Sequence, residues 1–196
     1  VPAVCLVTEV YTSFEKLTVS SRVANNAHQM AALFIPESLT GVDNITIDQV
    51  GFIGRTSTTG WTGDAITFRS PATGWRISDS SFADFLGGIW TYSKVSDIEI
   101  TGSAFTSNQV GIYAWRTTAG SDGGFEGIKV LDSEFVGSSE RAMYFEGLSN
   151  AEFARLTIKN SQNLKNPTYS ASARAIGIFL YNGTFNGPIT IKDSVI

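Results

Sequence analysis

One octapeptide recurs down this chain, and a repeat with a strand-like interior limits the possible folds more than any other feature of the sequence. It reads Ile-Thr-Ile-Asp-Gln-Val-Gly-Phe from Ile45, Trp-Arg-Ile-Ser-Asp-Ser-Ser-Phe from Trp75, Ile-Glu-Ile-Thr-Gly-Ser-Ala-Phe from Ile98 and Ile-Lys-Val-Leu-Asp-Ser-Glu-Phe from Ile128. Further copies are read from Leu17, Leu156 and Ile189. Each opens apolar-x-apolar, the period of a half-buried strand, then passes a turn-forming residue and reaches a second apolar anchor. The implied unit is strand, bend, strand. In this alignment Ser80, Ser103, Ser133, Ser161 and Ser194 stack at one position. Phe52, Phe82, Phe105, Phe135 and Ile196 stack at another, with Ala24 and Asn163 breaking that ladder. Asp48, Asp79, Asp132, Asn160 and Asp193 recur at or near the bend, where such side chains satisfy turn backbone groups.

A second strand precedes most copies, over 33–35, 65–69, 88–92, 111–115, 142–146 and 177–181. Repeats of this kind, without helical periodicity, imply an all-β solenoid with two sheets running along it. The 196 residues are enough for a buried core and read as a single domain, 1–196, of about seven coils. Stretches 55–63, 117–124 and 163–174 interrupt the pattern and are expected to be projecting loops. The first and last copies carry no cap, so a segment of a longer solenoid, incomplete at both ends, is expected.

The stacked Ile-x-Ile-x-(Asp/Asn/Gly)-Ser-x-Phe units resemble the right-handed parallel β-helix superfamily, the pectate-lyase-like fold, over nearly the whole chain. That resemblance implies an architecture rather than one activity. The superfamily holds polysaccharide lyases, glycoside hydrolases, uronate epimerases, phage tailspikes and non-enzymatic adhesins. The Asn-Thr-Asp, Asp-Asp and Gly-His-Gly motifs of polygalacturonases are absent here. So are the clustered aspartates that hold Ca²⁺ in pectate lyases, and no catalytic residue carries over from the resemblance. No cofactor is expected, and the sequence gives Ca²⁺ no support.

The remaining chemistry-bearing residues are few. The single histidine, His28, is read as a loop residue before the strand at Leu33, and the single cysteine, Cys5, cannot form an internal bridge. Gly120-Ser-Asp-Gly-Gly124 lacks the Lys and helix of a phosphate-binding loop and the nonapeptide period of a calcium β-roll, so it reads as a loop. With 14 basic against 18 acidic side chains, the net charge of −4 leaves no surface to neutralise a run of phosphates, which argues against a nucleic-acid partner. No apolar stretch approaches membrane-spanning length.

Strand alternation assigns faces to the second strand. With Ile66, Phe68, Ile89, Ile112, Ala114, Met143, Phe145, Ile178 and Leu180 inward, two outward stripes follow. One reads Phe34, Thr67, Trp90, Tyr113, Tyr144, Phe179; the other Arg69, Tyr92, Trp115, Glu146, Tyr181. A shift of two residues in the last coil would instead set Phe179 beside Glu146. An exposed aromatic face marks an interaction site, and flat rings suit the C–H face of a sugar.

The expected polysaccharide-binding residues are Trp90, Tyr92, Tyr113, Trp115, Tyr144 and Tyr181. Glu146 and Arg69, which interrupt the same face, are the catalytic candidates, because glycan cleavage needs a pair of carboxylates, or a carboxylate-bound cation with a basic residue. Asp64, Asp122, Glu126 and Glu140 would join Glu146 if their loops bend back, and Arg116 and Arg141 would join Arg69 in binding an anionic substrate. The expectation is a secreted, cell-surface or virion-surface β-helix that binds polysaccharide, as part of a depolymerase of the lyase or glycoside hydrolase type; whether it is an enzyme stays open. The alternative is a non-enzymatic structural or adhesive fibre rod, whose aromatic stripe joins the subunits of a homo-oligomer such as a trimer.

Overall fold

A computed structural model of the protein describes residues 4–5, 13–20, 31–54, 56–57, 60–115, 123–159 and 176–196. All of its regular structure is β, and the strands pair in parallel from coil to coil. Three walls result. The first stacks Val4–Cys5, Leu33–Ile35, Gly60–Phe68, Phe85–Thr91 and Val110–Ala114, then the leading parts of Arg141–Ala154 and Ile176–Lys192. The second stacks Ser13–Glu15, Thr46–Asp48, Arg76–Ser78, Glu99–Thr101 and Lys129–Leu131, then the trailing parts of the same two long strands. The third is a separate sheet of Thr18–Ser20, Gly51–Ile53, Ser81–Ala83, Ala104–Thr106, Glu134–Val136 and Thr157–Lys159.

The sequence pattern led to two sheets, whereas the octapeptide straddles a corner and its two strands belong to different walls. An antiparallel exception pairs Thr56–Ser57 with the start of Gly60–Phe68, so the first-wall strand reaches into the expected 55–63 loop. The end of the expected 117–124 loop likewise joins the strand Gly124–Glu126. His28, Arg116, Asp122, Asn160, Ser161 and the 163–174 stretch lie outside the described residues.

The corner is made by one residue per coil in the left-handed region. Lys16, Gln49, Asp79, Asp132, Arg155 and Asp193 have φ between 46° and 53°, and Gly102 stands at 59° in the same ladder. Asp tolerates this conformation because its short polar side chain bonds locally, and Gly tolerates it because it has no Cβ. From Lys16 to Arg155 each bend N–H donates to a carbonyl of the next coil, as in Gln49 N to Ser78 O at 3.0 Å and Asp132 N to Ala154 O at 3.0 Å. The expected serine ladder has its own bonds. Ser103 Oγ and Ser133 Oγ accept from the backbone N–H of Ser80 and Ser103 at 3.3 and 3.1 Å, and each donates to the carbonyl two residues earlier. The aspartate reading is refined at one rung: Gln49 makes the bend, while Asp48 precedes it and accepts from Ser78 Oγ at 2.6 Å.

Two copies take a different register in the folded chain. Phe14 pairs with Ile47 and Val19 with Phe52, so Leu17 belongs to the second strand of its unit rather than the first. Phe153 pairs with Val130 and Ile158 with Phe135, which moves Leu156 in the same way. Val19 and Ile158 therefore fill the ladder positions expected to be broken by Ala24 and Asn163. The reason lies in the pattern: Leu17-Thr-Val19 and Leu156-Thr-Ile158 alternate as well as a first strand does, and their bends are Lys16 and Arg155 instead of Asp or Gly.

Inside the walls the rings form a continuous column. Phe52, Phe82, Phe105 and Phe135 stack in sequence at centroid distances of 5.0, 4.7 and 4.6 Å with interplanar angles under 10°. These spacings match the distance between neighbouring strands, so each coil supplies one ring to the column. Trp75 is buried beside it, with Nε1 donating to Val42 O at 2.8 Å and its ring set edge-on to Phe68.

Candidate functional site: an aromatic wall and its groove

The first wall carries the candidate site. Its register runs Leu33, Ile66, Ile89, Ile112, Met143, Ile178, and Tyr144 pairs with Phe179, so the last coil is not shifted. Ile66, Phe68, Ile89, Ile112, Ala114, Met143 and Phe145 belong to the lumen core. Trp90, Tyr113 and Tyr144 form a separate cluster with Leu86 and Val110, against which Tyr92 and Phe179 pack. The alternation therefore holds from Ile66 to Phe145, with core on one side of the wall and rings on the other, whereas in the last coil Ile178 is only partly buried and Leu180, expected inward, is exposed.

The outer rings are less open than a flat platform. Trp90 is 3% exposed, whereas Trp115 is 38% and Tyr181 50% exposed. Trp90 lies 3.9 Å from Tyr113 between centroids and 6.0 Å from both Tyr92 and Trp115. Tyr113 meets Tyr144 edge-on at 4.4 Å, and Tyr144 stacks with Phe179 at 5.3 Å and Tyr181 at 6.1 Å. Rings this bulky, at successive strand spacings, exclude water from one another. The cluster is thus in two tiers: Trp90, Tyr113 and Tyr144 form a buried base, and Trp115 and Tyr181, with half-buried Tyr92, meet solvent.

Both described arginines beside the wall lie over rings. The Arg69 guanidinium sits 3.7 Å from the Tyr92 centroid and 3.8 Å from Glu37. That of Arg141 sits 4.7 Å from Tyr144 and 4.6 Å from Phe179, and 3.8 Å from Glu140. Glu140 also accepts from Gln109 Nε2 at 2.5 Å. Asp64, placed by sequence at a strand mouth, is fully buried and accepts from Thr67 Oγ1 at 2.8 Å.

Glu146 accepts from the Tyr144 hydroxyl at 2.8 Å, and Tyr144 in turn accepts from the Tyr113 hydroxyl. Burial is the main cause pushing Tyr92, Tyr113 and Tyr144 above the usual phenol range, with nearby Asp64 acting on Tyr92 and Glu146 on the other two. These phenols therefore stay protonated and serve as donors, not bases.

Glu146 also faces a groove. Lys94, Glu126, Glu146, Ser149, Asn150 and Asn186 line it, with Gly123, Gly124 and Gly147 beside them. The glycines permit the close approach of adjacent coils: a Cβ on Gly124 would stand 2.5 Å from Gly147 O, and one on Gly147 would stand 2.5 Å from Gly123 O. Gly123 also abuts the carbonyls of Tyr92 and Trp115, so the groove begins where the aromatic stripe ends. Lys94 and Glu126 form an ion pair within it. Sequence reasoning missed the groove, although Gly123-Gly124 was its visible signal. Among the described residues no group of three or more His, Cys, Asp or Glu side chains converges to hold a metal ion. No helix among them is long and apolar enough to cross a membrane.

Stacked parallel coils with a core inside and a ring-lined wall outside define the protein as a parallel β-helix. No protein-family model and no curated protein matches the chain. A solved structure titled rhamnogalacturonan lyase is similar at a TM-score of 0.37 and 10% identity, over 93% of this chain and 57% of the lyase. The chain thus spans little more than half of that lyase's length, and so slight a likeness assigns it no activity.

Proposed function

We propose that this β-helix binds polysaccharide across the outer face of its first wall, on the exposed tier of Trp115, Tyr181 and Tyr92 and into the adjoining groove. The observation that carries the reading is the two-tier ring cluster, a rigid base beneath rings that meet solvent, ending at a groove lined by carboxylate, amide and hydroxyl groups. Rings supply contact area for apolar sugar faces, and the groove supplies partners for hydroxyls. Trp90, Tyr113 and Tyr144 take part as the support that holds the upper rings. The setting we propose is a secreted, cell-surface or virion-surface one, where such polymers occur.

The test is binding of the intact chain to a glycan array, with Trp115→Ala and Tyr181→Ala beside it. Loss of retention in both, with unchanged melting temperature, supports the reading. Retention equal to the parent chain removes the site assignment. Concentration-dependent assembly that Trp115→Ala abolishes, with no glycan retained, favours the fibre-rod reading in which the stripe joins subunits.

A further inference from the structure

Independently of what the aromatic wall binds, we infer that the last coil takes the first coil of a second copy of this chain, so that copies join head to tail along the axis. The two outermost coils match each other row by row. Among the described residues Ile176–Lys192 pairs on one side only, with Arg141–Ala154, and Ser13–Glu15 pairs on one side only, with Thr46–Asp48. The inward positions of the last coil lie open. Ile191 is 49% and Ile196 67% exposed, whereas Phe153 and Ile158, their neighbours in the preceding coil, are buried. Apolar side chains left open beside an unpaired parallel edge form a template for another strand of the same register.

Register and charge say what fits there. Carried one coil further, the second wall sets Phe14 of the incoming copy over Ile191, its Glu15 opposite Lys192 and its Lys16 opposite Asp193. The third wall, through the bridge of Thr157 to Val195, sets Thr18 opposite Val195 and Val19 over Ile196. Both charged rungs bring opposite signs together. The second of them prolongs an alternation already present in the row of bends, where Asp132, Arg155 and Asp193 succeed one another and both acids act on the arginine. The backbone matches as well. From Lys16 to Arg155 each bend N–H donates to the carbonyl that stands just before the bend of the next coil, but among the described residues the Asp193 N–H has no such acceptor. In an incoming first coil the Glu15 carbonyl holds that position. A contact between opposite ends is heterologous and does not close on itself, so copies add in a row.

The experiment is sedimentation of the full chain over a concentration series. Mass is expected to rise past that of a dimer without reaching a plateau. Glu15→Lys, which faces Lys192 of the next copy, and Lys192→Glu, which faces Glu15, should each move assembly to at least about tenfold higher concentration, because like charges then meet at the junction. Mixing the two variants in equal amounts makes every junction between unlike copies an opposite-sign pair, and should return assembly to within about twofold of the parent chain. Both side chains are exposed, so melting temperatures close to the parent's check that each variant folds. Trp115→Ala should leave this assembly intact, which separates it from joining through the aromatic stripe. A monomer at every concentration, a plateau at a closed dimer or trimer, assembly that the charge variants leave unaltered, or no recovery in the mixture overturns the inference.

Discussion

Tyr144 donates its hydroxyl to Glu146 Oε1 at 2.8 Å across two residues of one strand, which joins the buried ring base to the groove. Alternation places both side chains on the outer face of the wall, and the hydrogen bond fixes which way the carboxylate points. Tyr144→Phe keeps the ring and removes the donor. Because hydrogen bonds to charged groups contribute about 1.5–3 kcal/mol, a loss of about that size in denaturant stability is expected, together with weakened glycan retention. Unchanged values in both measurements would show that the bond positions nothing.

The two tiers separate by mutation. Truncating the buried Trp90 to Ala should cost about 3–5 kcal/mol in urea unfolding, as large-to-small changes in packed sites do. Trp115→Ala removes a ring already 38% exposed and should leave the unfolding midpoint nearly unchanged. Equal destabilisation by the two would mean that the cluster is a single core.

Alkaline stability should report the buried phenols. Tyr92, Tyr113 and Tyr144 all have folded values raised above the ordinary phenol. Below about pH 10 folded and unfolded chains both keep these protons, and the stabilisation is fully present. Above that, the unfolded chain releases protons that the folded chain still holds, so stability falls as pH rises. Denaturant titrations over this range should show a falling limb that Tyr113→Phe makes shallower, and a limb of identical slope in the variant would contradict the assignment.

At the acid end, Asp132 is held below the usual carboxylate range, chiefly by its two-pronged bond with Arg155 at 2.6 and 2.7 Å. The two are neighbours in the ladder of bends, so the pair ties one coil to the next. A depressed folded value contributes stability above the unfolded value of about 3.9, lost as pH falls through the folded one. Asp132→Asn should flatten that acid limb by a small amount, because both partners are about half exposed. The midpoint of the Asp132 carboxyl resonance in a pH titration checks the direction independently.

The serine ladder predicts a position effect. Ser133 Oγ accepts from the buried N–H of Ser103, and Ser133→Ala leaves that donor unpaired at a cost of about 1–3 kcal/mol. Ser194→Ala removes the equivalent bond to Leu156 N at a more exposed coil, where water can replace it, and should cost less. Thermal unfolding of the two variants compares them directly.

Much of the architecture is legible in the residues. Apolar-x-apolar copies, Asp or Gly at bends and a ring at the far anchor all report a backbone that repeats coil by coil. Register was legible wherever Asp or Gly stood at or beside the bend, as Asp48 does next to Gln49, and was lost at Lys16 and Arg155, which have neither. Asp64 and Glu126 read as ordinary strand-mouth acids because neither burial nor a partner from another coil is written locally.

Alternation along each strand, a property of the covalent chain, is enough to separate the lumen residues Ile89 and Ile112 from the outer Trp90 and Tyr113. Which outer rings stay wet is a different kind of question. Its answer depends on how side chains from separate coils fill one another's space, so only the folded arrangement placed Trp90 beneath Trp115. The same holds for the groove, where Lys94, Glu126, Glu146 and Asn186 come from different coils and meet because Gly124 and Gly147 let the backbones close in.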